Sequence, residues 1–510
     1  MKHLVARFFA ALLFAFSFAV TPILAQDATT TLGLSVRFRT LKNTERMSDE
    51  TRKLVEELEA KAKAATGGQK YGEAVKYYLR AMALIRNQPW TPSRELSAAM
   101  QIKLDRAVFD PGDRALITIS QSFTPDEPIA GKLSGSISLK DSKQEKELKE
   151  FTGIEPDFTK PVSIEAAIPD LADGNYQLTL TLRPKDGDLI IKPTSVLIAR
   201  GLNAQAAEIK TRAASVAAKL KADKKDDLSH AISAVEYAAS MVEMANSGRL
   251  SVERADVKGA VVNASATLDR IEKGEDPLRA RRGDIQWAYR SAVDDTVQPY
   301  RFYIPTNYDA KMKWPMVVAL HGMGGDENSF FMGYDNGAIR RVAEERGYIL
   351  VCPKGRGPYS MYLAAAERDV IDVINEMKRD FSIDDDRVYL MGHSMGGYGS
   401  WSIAVNYPDL FAAIGPIAGG GTPFSRPKLK AIIHVPCIVV HGDNDPTVPV
   451  EESRKMVKAG KELGVEIKYI EVPGGNHGDV VVPAFKDIFD WFDAHKRQPK
   501  AAAKVAGSGQ

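Results

Sequence analysis

The chain predicts an α/β fold in its C-terminal part, a mostly parallel sheet with helices on both faces, preceded by helical segments and a small β-sandwich. Three observations carry this. Between residues 284 and 495, continuous apolar runs such as "WPMVVALHG", "YILVCPKG" and "RVYLMGHS" alternate with amphipathic stretches such as "AAAERDVIDVINEMKRDF" and "EESRKMVKAGKEL". Strands buried on both faces require such runs. Between 101 and 202, short segments such as "KLSGSISLK" and "DGNYQLTLTLR" alternate apolar with polar residues, and turn residues lie between them. Around that block, apolar residues recur every three to four positions, the spacing of helices.

Taken in order, residues 1–25 have a basic start, an apolar run from Phe8 to Val20 and a small Ala25. This pattern predicts a cleaved secretory signal peptide, since the run is shorter than the roughly 20 residues a membrane span needs. Residues 26–100 predict helices, with "SDETRKLVEELEAKAKAA" opening on a Ser-Asp cap and "YGEAVKYYLRAMALI" forming a second helix. One such hairpin is not a repeat array. Residues 101–202 predict a sandwich of immunoglobulin-like pattern. Residues 203–283 return to alanine-rich helices and end in a charged linker, "EDPLRARRGD". Residues 284–495 form the α/β unit, and 496–510 predict a disordered tail.

A chain of 510 residues exceeds one ordinary core. The formal net charge of +2 equals the contribution of Lys2 and Arg7 in the leader, so the mature chain is near neutral. That balance excludes an electrostatic footprint for nucleic acid. No later stretch is apolar enough to span a membrane, and no cysteine follows the leader to take a lipid. No metal or other cofactor is implied, because no His, Cys and carboxylate cluster has ligand spacing.

The chemistry gathers where apolar runs end. In a parallel sheet, ligands bind beyond the carboxyl ends of the strands. "RVYLMGHSMGG" reads as strand, sharp turn and helix, the context of a Gly-x-Ser-x-Gly elbow with Ser394 as nucleophile. The base must come from another loop. His477 in "VPGGNHGD" meets that need, whereas His393 adjoins the serine and should diverge, and His321 and His441 precede glycines and shape loops. His434 falls within a strand-like run. The acid belongs between serine and histidine in the chain, where "VVHGDNDPTVP" offers Asp443 and Asp445. Asp445 is favoured, because Pro446 biases it towards an extended conformation that projects from the loop. Backbone N–H groups of Met395 and Met323 are the candidates for an oxyanion hole. Tyr359 and Tyr362 in "GRGPYSMY" are candidate aryl-binding residues, with a core or rim role as the plainer reading.

These segments, with "QPYRFYIPTNYD", "NYPDLFAAIGPIAGG" and "HGDNDPTVP", resemble α/β-hydrolases of the esterase D and feruloyl-esterase type, relatives of polyhydroxybutyrate depolymerases and of the prolyl oligopeptidase catalytic domain. The resemblance spans roughly residues 285 to 491 and leaves residues 26–280 uncovered. It implies an α/β-hydrolase sheet and a triad of Ser394, Asp445 and His477. Its strand order keeps the strands of Cys352 and Cys437 apart, so both are expected as separate buried thiols. Only "GTPFSRPKL" separates the apolar runs where many relatives insert a lid, which predicts an open mouth suited to short acyl groups or polymer-linked esters. A prolyl oligopeptidase-like peptidase is the alternative, but its gating propeller needs blades of about 40 to 45 residues and no such period appears. An alternative of another class is a cell-envelope binding protein with a vestigial hydrolase domain.

Overall fold

The computed structural model describes residues 28–185, 187–278 and 281–497. The signal peptide expected over residues 1–25, and all of the tail expected over 496–510 beyond residue 497, lie outside the described residues. Four helices open the chain: α1 (Ala28–Thr44), α2 (Asp49–Gly67), α3 (Tyr71–Ile85) and α4 (Pro92–Ala99). Ser48 Oγ accepts the Thr51 N–H at the start of α2, and Thr91 Oγ1 accepts the Arg94 N–H at the start of α4, where Pro92 sits in the first turn. Both side chains satisfy amides that a helix leaves open. On α1, Leu34, Phe38 and Leu41 share one face and meet Val55, Leu58, Tyr78 and Ala81 of α2 and α3. The Phe38 and Tyr78 rings lie 5.3 Å apart. The sequence reading singles out α2 and α3 alone; α1 and α4 are additions.

Eight strands follow: β1 (Met100–Leu104), β2 (Val108–Phe109), β3 (Arg114–Gln121), β4 (Leu133–Lys140), β5 (Glu145–Ile154), β6 (Val162–Ala167), β7 (Gly174–Arg183) and β8 (Ile190–Ile198). They form a sheet of order β1-β3-β6 and a sheet of order β2-β8-β7-β4-β5. Inward residues of both, among them Ile117, Ile164, Ile137 and Leu180, share one core. Helices α5 (Leu202–Ala222), α6 (Asp226–Asn246) and α7 (Val257–Glu272) come next. Their apolar residues, including Val235 and Met241, join one core with Trp287, Tyr300 and Phe302 of the hairpin β9 (Gly283–Arg290) and β10 (Val297–Ile304).

That hairpin is the antiparallel end of an eight-stranded sheet. The remaining elements are β11 (Trp314–Leu320), α8 (Ser329–Met332), α9 (Tyr334–Arg346), β12 (Ile349–Pro353), α10 (Ala365–Asp380), β13 (Ile383–His393), α11 (Met395–Asn406), β14 (Ala413–Ile417), β15 (Cys437–Gly442), α12 (Glu451–Glu462), β16 (Ile467–Val472) and α13 (Val481–Ala494). The strand order is β16-β15-β14-β13-β11-β12-β10-β9, parallel from β16 to β12 and antiparallel beyond. Successive residues of each strand point to opposite faces. Val318, Leu390 and Val439 therefore face one core, and Val317, Met391 and Val440 face the core closed by α9 and α13.

Parallel pairing brings four strand ends to one edge. Leu320 lies opposite Gly392, Ile417 opposite Val440, and Gly442 opposite Val472. The loops carrying Met323, Ser394, Asp445 and His477 leave from that edge. Cys352 on β12 and Cys437 on β15 are free, buried and several strands apart. One expected strand is shorter than its apolar run. Arg426–Ile432 forms a 3-10 turn and β15 begins only at Cys437. His434 thus lies in a turn, where its Nε2 donates to Pro408 O at 3.1 Å. The run is apolar because Ile432 and Val435 are buried, not because it is extended.

Phe38, 2% exposed, is the main anchor of α1. Phe38→Ala should cost the N-terminal helices about 3–5 kcal/mol. Amide exchange across residues 28–44 should quicken while β11 and β13 stay protected; unchanged exchange there would show that α1 is held by other contacts.

Candidate active site

The turn between β13 and α11 is built around close backbone approach. A Cβ at Gly396 would collide with the Leu320 carbonyl, and one at Gly392 would collide with the Gly396 carbonyl. Only glycine fits either place. Between them Ser394 adopts φ 56°, ψ −116°, a conformation that L-residues rarely enter. Two hydrogen bonds hold it there: Ser394 N–H donates to Ile417 O at 2.9 Å, and Tyr398 N–H donates to Ser394 O at 3.1 Å. The side chain stands at the floor of a cavity of about 790 Å³ that His477, Met323 and Met395 also line. No hydrogen bond joins the Ser394 hydroxyl to the His477 ring in this structure, and such contacts often tighten only when substrate binds.

His477 Nδ1–H donates to Asp445 Oδ2 at 2.7 Å, which leaves Nε2 as the basic nitrogen of the ring. The Asp445 side chain is fully shielded. Its Oδ1 accepts the N–H groups of Thr447 and Val448 at 2.8 and 2.9 Å, and its Oδ2 also accepts from His441 Nε2 at 3.1 Å. Burial alone would raise its pKa. Hydrogen bonds from His441, His477 and Val448 N–H, with the field of His477, outweigh burial and hold the carboxyl well below the usual carboxylate range. Asp443, the other candidate, is exposed and accepts the Gly474 N–H at 2.6 Å, which ties the two loops together.

The residue next to the serine behaves differently from expectation. His393 does not diverge: its ring lies 4.6 Å from that of His477, its Nε2–H donates to His477 O at 2.7 Å, and its Nδ1 accepts the Tyr334 hydroxyl at 2.7 Å. It braces the backbone of the base. Burial first, and then the neighbouring His477, push its pKa down to about 3. Tyr334 opens α9 with a left-handed turn that continues through Asp335, Asn336 and Gly337.

The loop after β11 supplies the second amide. His321 bonds Lys354 O at 2.9 Å and Gly324 N–H donates to Pro358 O at 2.7 Å, so the loop is pinned to its neighbour. Among the described residues, neither the Met323 nor the Met395 N–H is committed to a backbone carbonyl. Glu327, 2% exposed, accepts the Tyr237 hydroxyl at 3.3 Å and the Gln286 amide at 3.3 Å. Burial raises its pKa. Through it, α6 holds the far end of the same loop. Nothing in the sequence marks Glu327, because its partners lie on elements far away in the chain.

Neither candidate aryl-binding tyrosine is among the residues that line the cavity holding Ser394. Tyr362 is fully buried: its ring lies against Gly399 and Gly355, and its hydroxyl donates to His321 O at 3.3 Å. Tyr359 is outside the cavity lining, and a Cβ placed on Gly33 of α1 would lie 2.8 Å from its hydroxyl. These tyrosines support the floor and α1, respectively. The mouth is bounded on one side by α1. The inserted lid is absent between β14 and β15, but α1 lies at the entrance, with Val36, Arg39, Thr40 and Thr44 lining the cavity. Asn43 Nδ2 donates to Pro446 O at 2.7 Å, and the Thr40 and Thr447 hydroxyls lie 3.2 Å apart. Helix α1 thus forms part of the cavity wall at its entrance.

A mostly parallel sheet with a strained serine between strand and helix, and a His–Asp pair on neighbouring strand ends, defines an α/β-hydrolase fold with a serine-hydrolase-type site. Residues 340–420 and 423–498 match the model of the prolyl oligopeptidase family. The chain is 29% identical over 163 residues to a bifunctional acetylxylan esterase/xylanase of Neocallimastix patriciarum, covering 31% of this chain and 22% of that protein. It is 27% identical over 188 residues to a probable feruloyl esterase C of Aspergillus oryzae, covering 36% of this chain and 68% of that protein. Among solved structures, a thermostable esterase matches with a TM-score of 0.39 and 16% identity, covering 78% of this chain and all of that one. Over the segments matched by the esterase sequences, the C-terminal part resembles serine esterases of the α/β-hydrolase type.

His393 makes stability pH-dependent. An unfolded imidazole takes its proton near 6.5 and the folded one near 3, so between these values the unfolded chain binds the extra proton. The contribution is complete above about pH 6.5 and is lost as pH falls towards 3, by about 2 kcal/mol between 6.5 and 5. In thermal unfolding followed by circular dichroism, His393→Gln should flatten this acid slope. An unchanged slope would assign it to other groups.

Proposed function

We propose that this chain is an exported serine hydrolase that cleaves carboxylic esters through an acyl-enzyme. The observation that carries the reading is the hydrogen-bonded His477–Asp445 pair, in one cavity with a strained serine and two uncommitted amides. In this reading Ser394 Oγ attacks the ester carbonyl while His477 Nε2 accepts its proton. Asp445 keeps the other ring nitrogen protonated and stabilises the imidazolium. The Met395 and Met323 N–H groups receive the oxyanion. Collapse of the tetrahedral intermediate expels the alcohol, which takes the proton from His477. Water, activated by the same nitrogen, then releases the acid. Asp445 stays ionised far into the acid range.

Residues 284–495 would be the catalytic unit, with the helical segments and the immunoglobulin-like 101–202 block as accessories. Export rests on the leader pattern of residues 1–25. Short acyl, acetyl or feruloyl esters, free or polymer-linked, are the proposed substrates, in keeping with the names of the relatives. The prolyl oligopeptidase match keeps a peptidase as the second reading, but helices and a two-sheet unit precede the catalytic sheet instead of a propeller.

Fluorophosphonate should label Ser394 stoichiometrically; no labelling of folded protein would favour a binding protein with a vestigial site. Asp445→Ala should lower kcat/KM by orders of magnitude and Asp443→Ala by far less. The reverse ranking would reassign the acid. Acetyl and feruloyl esters should be cleaved faster than a palmitoyl ester or a prolyl anilide. Preference for the palmitoyl ester would indicate a lipase, and preference for the anilide a peptidase.

A further inference from the structure

Helix α1 has two occupied faces. Leu34, Phe38 and Leu41 bury against α2 and α3, and Arg39, Thr40 and Thr44 turn to the cavity that holds Ser394. Lys42 on the same helix is spoken for, with Glu59 at 2.7 Å and Glu56 at 3.7 Å. Arg39 has no ion pair and no side-chain hydrogen bond among the described residues, and its side chain is exposed at the mouth. The described residues that line the cavity include no Asp or Glu, and Arg39 is their one permanent cation. Asp445 lies behind His477 and is shielded. The guanidinium is therefore a cation at the rim of the cavity that has no protein partner among the described residues and is available to an anion entering with the substrate.

We propose that Arg39 is a specificity-determining residue that binds an anionic group of the substrate, a carboxylate or a phosphate remote from the scissile carbonyl. Its planar fork of donors matches either oxyanion. The inference rests on the ester-hydrolase reading and narrows it to esters that carry a negative charge. Because α1 is fixed both to α2 and α3 and to the Pro446–Thr447 loop, the backbone that carries Arg39 is held at the rim of the cavity, and the side chain is free to turn towards a bound anion.

The test compares selectivity ratios, in which the intrinsic reactivities of the esters cancel between variants. Purified enzyme is assayed on p-nitrophenyl butyrate against mono-p-nitrophenyl succinate for the acyl side. For the alcohol side, phenyl acetate is compared with the acetates of 4-hydroxybenzoate and of 4-hydroxyphenyl phosphate. In at least one pair, Arg39→Ala should lower the anionic-to-neutral ratio of kcat/KM about tenfold. Arg39→Glu should lower it further, and Arg39→Lys should restore part of it. The wild-type preference should shrink as salt rises. The carboxylate and phosphate arms tell the two anions apart. A ratio that moves less than about twofold in every pair, with neutral esters still cleaved, overturns the subsite and leaves the esterase reading standing. If no ester is cleaved, that reading falls, and the subsite is judged by protection: succinate or phosphate should slow fluorophosphonate labelling of Ser394 several-fold more in wild type than in Arg39→Ala. Equal protection, or no labelling at all, removes the subsite.

Discussion

The contact on which the site depends is the approach of the first turn of α11 to the backbone of β11. Gly396 lies against the Leu320 carbonyl with no room for a side chain, and Gly392 lies against Gly396. This approach drives Ser394 into its positive-φ conformation and lifts its hydroxyl above the sheet edge. It also places the Met395 N–H at the free end of a helix, where backbone amides and the helix dipole favour negative charge. Gly397 meets the Ile417 carbonyl in the same way, so the elbow is clamped between the strands on either side of β13.

Around that clamp the histidines divide the work by burial and partner. His477 is part-exposed and has a carboxylate on one nitrogen. His393 is buried without a carboxylate of its own and is held neutral, which suits a brace that must not change charge. His441 is fully buried and donates to both Asp445 Oδ2 and Val448 O, so it fixes the acid loop from beneath. Residue type alone does not distinguish these three roles; the acceptors that each ring meets do.

Much of this was legible because steric and conformational demands leave local marks. The glycines of "GHSMGG" are there because backbone fills the space of a side chain, and Pro446 marks the loop from which Asp445 projects. Ser48 and Thr91 announce helix starts in the same local way. Legibility fails where a residue's environment comes from distant segments. Tyr362 in its Gly- and Pro-rich loop reads equally as core, rim or aryl-binding residue, because the inward fold of that loop onto Gly399 is set by a distant segment. The run before Cys437 reads as one strand because a buried turn and a buried strand have the same apolar composition. Helix α1 goes unmarked in the sequence because two surfaces share its residues, one packed on α2 and α3 and one lining the cavity.

The bond between Thr40 and Thr447 joins residues 407 positions apart. Loop closure over such a distance is among the slowest contacts a chain makes, and its entropic cost must be met before the contact can stabilise anything. During synthesis α1 emerges long before its neighbour at β15 exists. Its apolar face can settle on α2 and α3 at once, while the polar face waits for nearly the whole chain. The entrance to the site is therefore completed late, and a chain arrested before β15 would display a finished helical block whose polar face still lacks its partners at Pro446 and Thr447.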